Sequence, residues 1–266
     1  MDDAERLEIE EHLKQQIEAY HEAAILFTAV SARIPDLLNL GGRTPEMLAS
    51  ELDMEPKPLR RFLRGLVTMR LCEELEDGRF VLTPAGEALV PDSDSSLREK
   101  ALVVLGQYWQ PWLDLQHCLK TGEPSFPKAF GMPVAAWRAA NVEDSAAFQN
   151  YLAKEEAGDA FPGGADVHLL KGVLQQHDDA EARTILQNCR KTMKLGERLI
   201  VCERLMPENA TDDPAAIMLD LHMMAITGGK ARTKSEMETL IAEAGLTVVE
   251  SKKTDDGLTV IDTRRR

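Results

Sequence analysis

The sequence predicts a mixed α+β to α/β protein, in which a mostly helical N-terminal part precedes a sheet flanked by helices. Apolar runs at Val167–Leu170 and Leu199–Cys202 enclose Ala180–Met193, which has helical spacing. A strand, a helix and a second strand in this order require a right-handed crossover and a parallel sheet. Before them, helical segments and a hairpin between Thr44 and Leu82 predict a separate, mostly helical domain.

Length and charge limit the classes of function. A chain of 266 residues with 44% hydrophobic and 29% charged residues has an ordinary globular composition and is long enough for two domains. The formal net charge of −14 disfavours affinity for nucleic acid or anionic lipid, because both need a basic face. The acidic start is unlike a signal peptide, and no apolar run approaches the roughly 20 residues of a membrane helix. We therefore expect a cytoplasmic protein without a nucleic-acid or membrane partner, whose four cysteines are free thiols.

An apolar stripe runs along the helix predicted from Leu7 to Leu40, with an interruption near Pro35. Its members recur at three- and four-residue spacing: Leu13, Ile17, Tyr20, Ala24 and Phe27. The stripe fits either a core helix of the first domain or a contact between two subunits.

The region that follows predicts helix, turn, helix and hairpin, which is a winged-helix pattern. The helices are expected at Thr44–Leu52 and Pro56–Leu71, and the hairpin turns at Asp77 and Gly78. The second helix carries the basic residues that a DNA-binding helix would need: Lys57, Arg60, Arg61, Arg64 and Arg70. Surrounding acidic residues cancel this charge, so a solvated helix face is favoured over a DNA-binding surface.

The middle of the chain concentrates aromatic residues. A polar linker at Asp92–Ser96 precedes a helix predicted at Leu97–Leu119, and another helix is expected at Asp144–Lys154. A stretch rich in Phe, Pro and Gly lies between these two helices. The first helix holds the cluster Tyr108, Trp109 and Trp112. On structural grounds this cluster fits the core of a hinge between domains.

The C-terminal part closes the predicted sheet. A helix at Pro214–Ala225 is followed by an amphipathic helix that ends at Gly245. Thr247–Glu250 and Leu258–Asp262 are two extended runs that predict a closing hairpin. The basic residues Arg264–Arg266 are expected to be a frayed tail.

Six blocks of the second half resemble the bacterial and plant small-molecule O-methyltransferases that carry an N-terminal dimerisation domain. The blocks are GADVHLLKGVL, DDAEARTILQNCR, GERLIVCERLMPE, DLHMM, GGKART and AEAGL. The resemblance implies a dimerisation domain at 1–95, a helical connector that caps the acceptor pocket at 96–160, and a methyltransferase-like α/β domain at 161–266. It also implies a role in secondary metabolism and a dimer formed through residues 1–40, with itself or with a full-length relative. The acceptor-binding residues expected from it are Trp109, Trp112, His222 and Met223.

The resemblance is incomplete where the family binds its methyl donor, S-adenosylmethionine. Such a site needs a glycine-rich turn between a strand and a helix, and none of the chain's glycine pairs has these neighbours. Relatives place two strand and helix units where only Glu155–Ala160 separates Lys154 from Phe161 here, and one such crossover takes about 30 residues. We therefore predict a truncated Rossmann-like sheet that lacks the donor-binding half and holds no cofactor.

Two of the three acid–base positions that the resemblance implies are also changed. Gln175 stands where the family has a histidine as general base, Ala231 stands where it has an acid, and only Glu203 keeps an acidic residue. An amide cannot accept a proton at neutral pH, and loss of a positioned base lowers a rate by about 10²–10⁴. His177, next to Asp178 and Asp179, fits a displaced base or a metal ligand less well than a solvent-facing helix start. His168 is expected in a buried strand and His222 on a helix that faces the pocket. Neither of these two has companions at ligand spacing, so no metal is predicted.

The predicted truncation leaves the strand Ala165–Leu170 with one bare edge. The Glu155–Pro162 segment, a neighbouring subunit or a partner protein is expected to cover it. The sequence favours a degenerate family member that acts by dimerising and by binding an aromatic ligand. The alternative is an enzyme that still methylates an aromatic or polyketide hydroxyl, or that performs a donor-independent reaction on a similar substrate. A winged-helix DNA-binding regulator is a minor alternative.

Overall fold

The computed structural model describes residues 3–91, 93, 96–155, 167–194 and 197–265 of the chain. By internal contacts the chain divides into two compact units. The first comprises Met1–Trp109 and Val142–Ala157, and the second comprises Gln110–Asn141 and Gly158–Arg266. The boundaries at residues 95 and 160 that the resemblance implies stay a prediction.

Helices dominate the described residues, and strands fall into two groups. In chain order the helices are α1 (Asp3–Glu18), α2 (Tyr20–Ser31), α3 (Ile34–Asn39), α4 (Pro45–Leu52), α5 (Pro56–Thr68), α6 (Pro84–Glu87), α7 (Arg98–Ala101), α8 (Trp109–Leu113), α9 (Leu115–Thr121), α10 (Phe126–Phe130), α11 (Val134–Ala140), α12 (Val142–Glu155), α13 (Asp179–Thr192), α14 (Pro214–Ile226) and α15 (Lys234–Glu243). The strands are β1 (Cys72–Glu74), β2 (Phe80–Leu82), β3 (Val167–Lys171), β4 (Arg198–Glu203), β5 (Leu246–Lys253) and β6 (Thr259–Arg265). The mixture of helices and strands agrees with the predicted fold class.

The helix predicted from Leu7 to Leu40 is present as α1, α2 and α3. One residue separates α1 from α2, and Arg33 has a left-handed backbone conformation (φ 59°) at the start of α3, whose first turn contains Pro35. The predicted interruption near the proline is therefore confirmed. The apolar side chains of α1 remain exposed, Leu13 to 50% and Ile17 to 72%. The interpretation of this segment as a core helix is wrong for α1.

The helices α4 and α5 and the antiparallel hairpin of β1 and β2 surround one core in the first unit. Thr44 caps α4 by accepting the N–H of Met47, as its position in the sequence predicted. Leu48, Leu63 and Phe80 are buried in this core. The predicted order of helix, helix and hairpin is present.

The helix predicted at Leu97–Leu119 is wrong as a single element. The structure divides it into α7, a π-helical turn at Leu102–Gln107, α8 and α9. Pro111 has no N–H to donate to the preceding turn, so it favours a break there. Gly106 lets the π-helical turn approach the ring of Phe27, since a Cβ on this residue would lie 3.1 Å from a ring carbon.

In the second unit, four strands form a sheet in the spatial order β3, β4, β6, β5. β3 and β4 are parallel and are connected through α13, as the strand, helix, strand pattern predicted. β6 is antiparallel to both β4 and β5, so the closing hairpin is also present. Leu199, Val201 and Ile261 face the core that α13 and α15 cover. Within the described residues β3 pairs only with β4 and is therefore an edge strand.

The tail predicted to fray is wrong for Arg264 and Arg265, which continue β6, and Arg265 Nη1 donates to the carbonyl oxygen of Met193 at 2.7 Å. Most of the expected cover Glu155–Pro162 lies outside the described residues, as does most of the linker Asp92–Ser96. Among the helices in the described ranges, none combines the length and hydropathy of a transmembrane span.

Candidate functional site

The turn after β3 and the end of β4 bring two of the predicted acid–base positions together. Leu174–Gln176 forms a 3₁₀ turn soon after β3, and Glu203 is the last residue of β4. Because β3 and β4 are parallel neighbours, their carboxyl ends lie at the same edge of the sheet. Glu203 is 1% exposed, and its Oε1 accepts the N–H of Leu174 at 2.8 Å. Gln175 is the next residue, so its main chain lies beside the retained carboxyl group.

The environment of Glu203 changes its acidity. Burial raises the pKa of the Glu203 carboxyl group to about 7, although the N–H groups of residues 173–175 and the charge of Arg232 act in the opposite direction. Its Oε2 is buried and has no hydrogen-bond partner among the described atoms. A carboxyl group with this pKa exchanges a proton near neutral pH, which is a property of general acids and bases.

Arg232, which sequence reasoning missed, holds the other side of the same turn. Its side chain has no exposed surface. Nη1 donates to the carbonyl oxygen of Leu174 at 2.8 Å, Nη2 to that of His177 at 2.9 Å, and Nε to Oδ1 of Asp179 at 2.9 Å. A planar guanidinium with five N–H donors can fix several acceptors at once. Its place in the GGKART block, directly after Ala231, is the signal by which it could have been found.

Other residues of the same block also lie against this turn. A Cβ on Gly229 would lie 2.2 Å from the carbonyl oxygen of Gln175, so only glycine fits at this position. Ala231 is buried, and its N–H donates to Oδ1 of Asp220 at 2.8 Å. Ala231 thus supplies backbone contacts and no acid–base group. Gly229 and Arg232 together fix the main chain of the turn that carries Gln175.

Two of the four predicted acceptor-binding residues are in direct contact. Trp112 Nε1–H donates to Nδ1 of His222 at 3.1 Å, and the two rings stack with centroids 6.2 Å apart. Burial, with a smaller contribution from the charge of Arg138, lowers the pKa of His222 to about 4. His222 is therefore neutral at pH 7, and its proton is on Nε2 because Nδ1 accepts a hydrogen bond. Met223 is buried in the same helix, α14, whereas Trp109 belongs to the first unit.

A second aromatic group in this unit was not expected from the sequence. Phe126, Phe130 and Trp137 pack together, with ring centroids 4.6 Å, 4.9 Å and 5.7 Å apart. Beside them Ser125 is buried, and its Oγ lies 2.8 Å from the carbonyl oxygen of Pro111 and 3.2 Å from that of Ala225. The Phe-, Pro- and Gly-rich stretch is thereby fixed against α14, the helix that carries His222.

Two other histidines of this unit, His177 and His168, lie at the start of a helix and in a strand. His177 Nδ1 lies 3.1 Å from Oε2 of Glu181, and Asp178 caps α13 by accepting the N–H of Glu181, in agreement with a helix start. His168 was expected in a buried strand, but its side chain is 35% exposed in β3, which pairs with β4 alone in the described part of the sheet. In the ranges that the structure describes, no group of three or more His, Cys, Asp or Glu residues is placed to hold a metal.

Two basic residues of α5 pair with one acidic residue of the hairpin, Glu74 of β1. Arg64 Nε lies 2.8 Å from Oε2 of Glu74, and Arg60 Nη2 lies 3.5 Å from Oε1 of the same residue. These pairs support the interpretation of α5 as a solvated face and not as a DNA-binding surface.

Replacing Glu203 by glutamine is expected to make the protein more stable at alkaline pH. The folded-state pKa of about 7 lies above the ordinary value of 4.5, so the folded protein binds this proton more tightly than the unfolded chain. The buried carboxylate is therefore destabilising above pH 7, and this cost disappears as the pH falls towards 4.5. We expect the variant to exceed the parent by about 2 kcal/mol at pH 8.5 and to differ little near pH 4.5.

Urea unfolding at both pH values measures this difference. Glu243→Gln on the exposed surface of α15 is the matched control and is expected to change the stability little, because an exposed ion pair contributes about 0–1 kcal/mol. An equal stability difference between Glu203→Gln and the parent at both pH values would contradict a raised pKa of the Glu203 carboxyl group.

Comparison with known proteins identifies two matching domains. Residues 14–92 match the O-methyltransferase dimerisation domain, and residues 149–247 match the O-methyltransferase domain. The O-demethylpuromycin-O-methyltransferase of Streptomyces alboniger is 26% identical over 327 aligned positions, which cover 94% of this chain and 87% of the relative. Because the chain has only 266 residues, part of this alignment has no residue of the chain opposite the relative.

Solved structures share the fold. The crystal structure of LaPhzM superimposes with a TM-score of 0.87 at 23% identity, covering 97% of this chain and 99% of the other. NcsB1 from neocarzinostatin biosynthesis, in complex with S-adenosylmethionine and 2-hydroxy-5-methyl naphthoic acid, gives a TM-score of 0.77 at 21% identity and covers 92% and 96%. The two domain models match in the order that such enzymes have, and these matches support membership of the family of O-methyltransferases that carry a dimerisation domain.

Proposed function

We propose that this chain is the acceptor-binding part of an O-methyltransferase and does not transfer a methyl group by itself. Its ligand would be a small aromatic molecule with a hydroxyl group, held near Trp112, His222 and Met223. The observation that carries this proposal is the four-stranded sheet, in which β3 has a partner strand on one side only among the described residues.

The sheet supports the proposal because a nucleoside-type donor binds at the carboxyl ends of parallel strands, beside a glycine-rich turn. The described sheet has one parallel pair, β3 and β4, and the turn after β3 is filled by contacts from Glu203, Gly229 and Arg232. The alignment with the Streptomyces relative is longer than the whole chain, in keeping with a segment that this chain lacks.

The acid–base positions give the proposal separate support. Gln175 and Ala231 have no group that could accept a proton from an acceptor hydroxyl at neutral pH. Glu203 does, but its Oε1 is engaged by the N–H of Leu174 and its Oε2 is buried. Loss of a positioned base lowers a rate by about 10²–10⁴, so an otherwise complete enzyme with these residues would be slow.

The second candidate function is O-methyl transfer by this chain, and the comparisons taken alone favour it over loss of activity. The relatives reported above include a named methyltransferase, and the alignment with it covers 94% of the chain. In this reading the donor contacts come from another polypeptide, and Glu203, with its pKa of about 7, takes over proton transfer. A donor-independent reaction on a similar substrate would use the same residues.

The matching dimerisation domain supports a homodimer. We place the subunit contact in residues 1–40, because α1 exposes an apolar stripe that includes Leu13 and Ile17. Pairing with a full-length relative would use the same surface.

Calorimetric titration of the purified chain with S-adenosylmethionine separates the two candidates. We expect no heat of binding at millimolar donor, and no methylated product from 2-hydroxy-5-methyl naphthoic acid, the compound present in the NcsB1 complex. We expect the same acid alone to change the fluorescence of Trp112, with the change lost in Trp112→Phe. Micromolar donor binding, or a methylated product from the chain alone, would support the second candidate.

A further inference from the structure

We propose that the turn after β3 is a pH-sensitive switch, in which proton binding by Glu203 loosens the main chain that carries Gln175. In the charged form Glu203 and Arg232 hold this turn together, and in the neutral form Arg232 holds it alone. This goes beyond the proposed function, because it concerns the chain without donor or acceptor and is tested in the same way whichever ligand the chain binds.

The groups around Glu203 are arranged for a charged carboxylate. Its Oε1 accepts the N–H of Leu174 at 2.8 Å, and the N–H groups of Val173 and Gln175 also favour the charged form. The guanidinium of Arg232 adds a positive charge on the same side. Each of these groups is a hydrogen-bond donor or a cation, and hydrogen bonds to an ionised acceptor are roughly twice as strong as those to a neutral one. The turn is therefore held more tightly while Glu203 is charged.

Burial acts against this arrangement. Glu203 is 1% exposed, and the removal of its carboxyl group from water raises the pKa to about 7. The charged and neutral forms are therefore both populated near neutral pH. A neutral carboxyl group carries an O–H donor, and the groups that surround it here are N–H donors and a guanidinium. Proton binding thus replaces an attraction between Glu203 and the turn by a contact between donors.

The two sides of the turn respond differently to this proton. Arg232 Nη1 donates to the carbonyl oxygen of Leu174 at 2.8 Å, and Nη2 donates to that of His177 at 2.9 Å. An arginine keeps its charge throughout the neutral pH range, so the carbonyl side of the turn stays fixed in both forms. The N–H of Leu174 is bound by Glu203 instead, and this is the contact that proton binding weakens.

Asp179, the first residue of α13, acts on this balance through Arg232. Its Oδ1 accepts Nε of the buried guanidinium at 2.9 Å, and its Oδ2 lies 2.9 Å from Nζ of Lys230. The negative charge of Asp179 partly offsets that of Arg232 and so favours the neutral form of Glu203. Other titratable or charged side chains on the elements that meet here are Lys171 of β3, His177 of the turn, Glu181 of α13, Cys202 of β4, Asp220 of α14 and Glu236 of α15.

Hydrogen exchange of single amides in the full chain tests the proposal at about pH 8 and about pH 6, on either side of the pKa of about 7. Protection factors are compared, because they correct for the intrinsic pH dependence of exchange. We expect the protection of Leu174 and Gln175 to fall about tenfold from the higher to the lower pH, as the charge-assisted hydrogen bond is lost. Protection of the core amides of Leu199 and Val201 is expected to rise, because the neutral carboxyl group is buried at a lower cost. A parallel rise of turn and core amides would overturn the proposal.

Two variants identify the titrating group. Glu203→Gln keeps the side chain neutral, and its turn is expected to have the same low protection at both pH values as the parent has at the lower one. His177→Gln removes the histidine of the turn but keeps the carbonyl group that Arg232 holds, so it is expected to retain the pH dependence of the parent. A tenfold loss of turn protection that persists in Glu203→Gln, or that is absent from His177→Gln, would contradict the proposal.

Asp179→Asn tests the link through Arg232. Asparagine keeps an oxygen acceptor for Nε of Arg232 but removes the negative charge, so Glu203 is expected to bind its proton less tightly. The midpoint of the change in turn protection should therefore move to lower pH. Glu243→Gln is the control, because Glu243 pairs with Arg183 on the exposed surface, and it is expected to leave the midpoint unchanged. An unchanged midpoint in Asp179→Asn, or an equal shift in the two variants, would contradict the proposed part of Arg232.

Discussion

Replacing Arg232 by methionine is expected to lower the free energy of unfolding by about 4 kcal/mol. The guanidinium is fully buried and donates to the carbonyl oxygens of Leu174 and His177 and to the carboxylate of Asp179. Methionine fills a similar volume but leaves the two carbonyl groups without these donors. It also removes the positive charge nearest the buried Glu203. Urea unfolding followed by circular dichroism at pH 7 measures the loss.

Arg183→Met is the matched control for this prediction. Arg183 pairs with Glu243 at 2.6 Å, but the two side chains are 40% and 48% exposed, and exposed pairs contribute about 0–1 kcal/mol. We therefore expect a small change for Arg183→Met and a large one for Arg232→Met. Similar losses of unfolding free energy in the two variants would mean that the hydrogen bonds of Arg232 do not stabilise the turn.

The double substitution Leu13→Glu and Ile17→Glu is expected to convert the dimer into monomers. Both side chains are exposed within one chain, and a fully buried leucine or isoleucine is stabilised by about 1.5–3 kcal/mol. A two-fold interface contains each substitution twice, so we expect the dimer dissociation constant to rise by at least about a thousandfold. Sedimentation equilibrium between 1 and 50 micromolar protein, an order-of-magnitude range around typical dimer affinities, measures this change.

Leu119→Glu serves as the control for the dimer prediction, because Leu119 is even more exposed, at 76%, but lies on α9. This variant is expected to remain dimeric. A parent protein that sediments as a monomer, or a double variant that still dimerises with unchanged affinity, would exclude residues 1–40 as the subunit contact.

The elements of the fold were largely predictable where local patterns are strong. The crossover from β3 to β4, the Thr44 cap and the closing hairpin follow from periodicity, capping and turn residues. The division of the Leu97–Leu119 segment was predictable only in part. Pro111 is a local signal for a break, but the close approach of Gly106 to the ring of Phe27 involves a residue far away in sequence. Strand β6 extends beyond the predicted hairpin because its pairing with β4 and β5 outweighs the poor strand character of consecutive arginines.

The site was predictable in part. The resemblance pointed to Gln175, Glu203 and Ala231, and the structure brings the first two together at the ends of neighbouring strands. It did not point to Arg232, because a buried arginine is recognised only from the acceptors around it, and these come from other parts of the chain. The shift in the pKa of Glu203 also depends on burial by the folded chain, which no local pattern contains.

The turn after β3 is held through its main chain, so the side chain of Gln175 can be exchanged. Arg232, Glu203 and Gly229 contact its carbonyl oxygens and N–H groups, and none of these contacts uses the side chain of Gln175. Exchanging that side chain therefore leaves the scaffold intact. The identity of the residue at position 175 is therefore free to vary without loss of the hydrogen bonds that fix the turn.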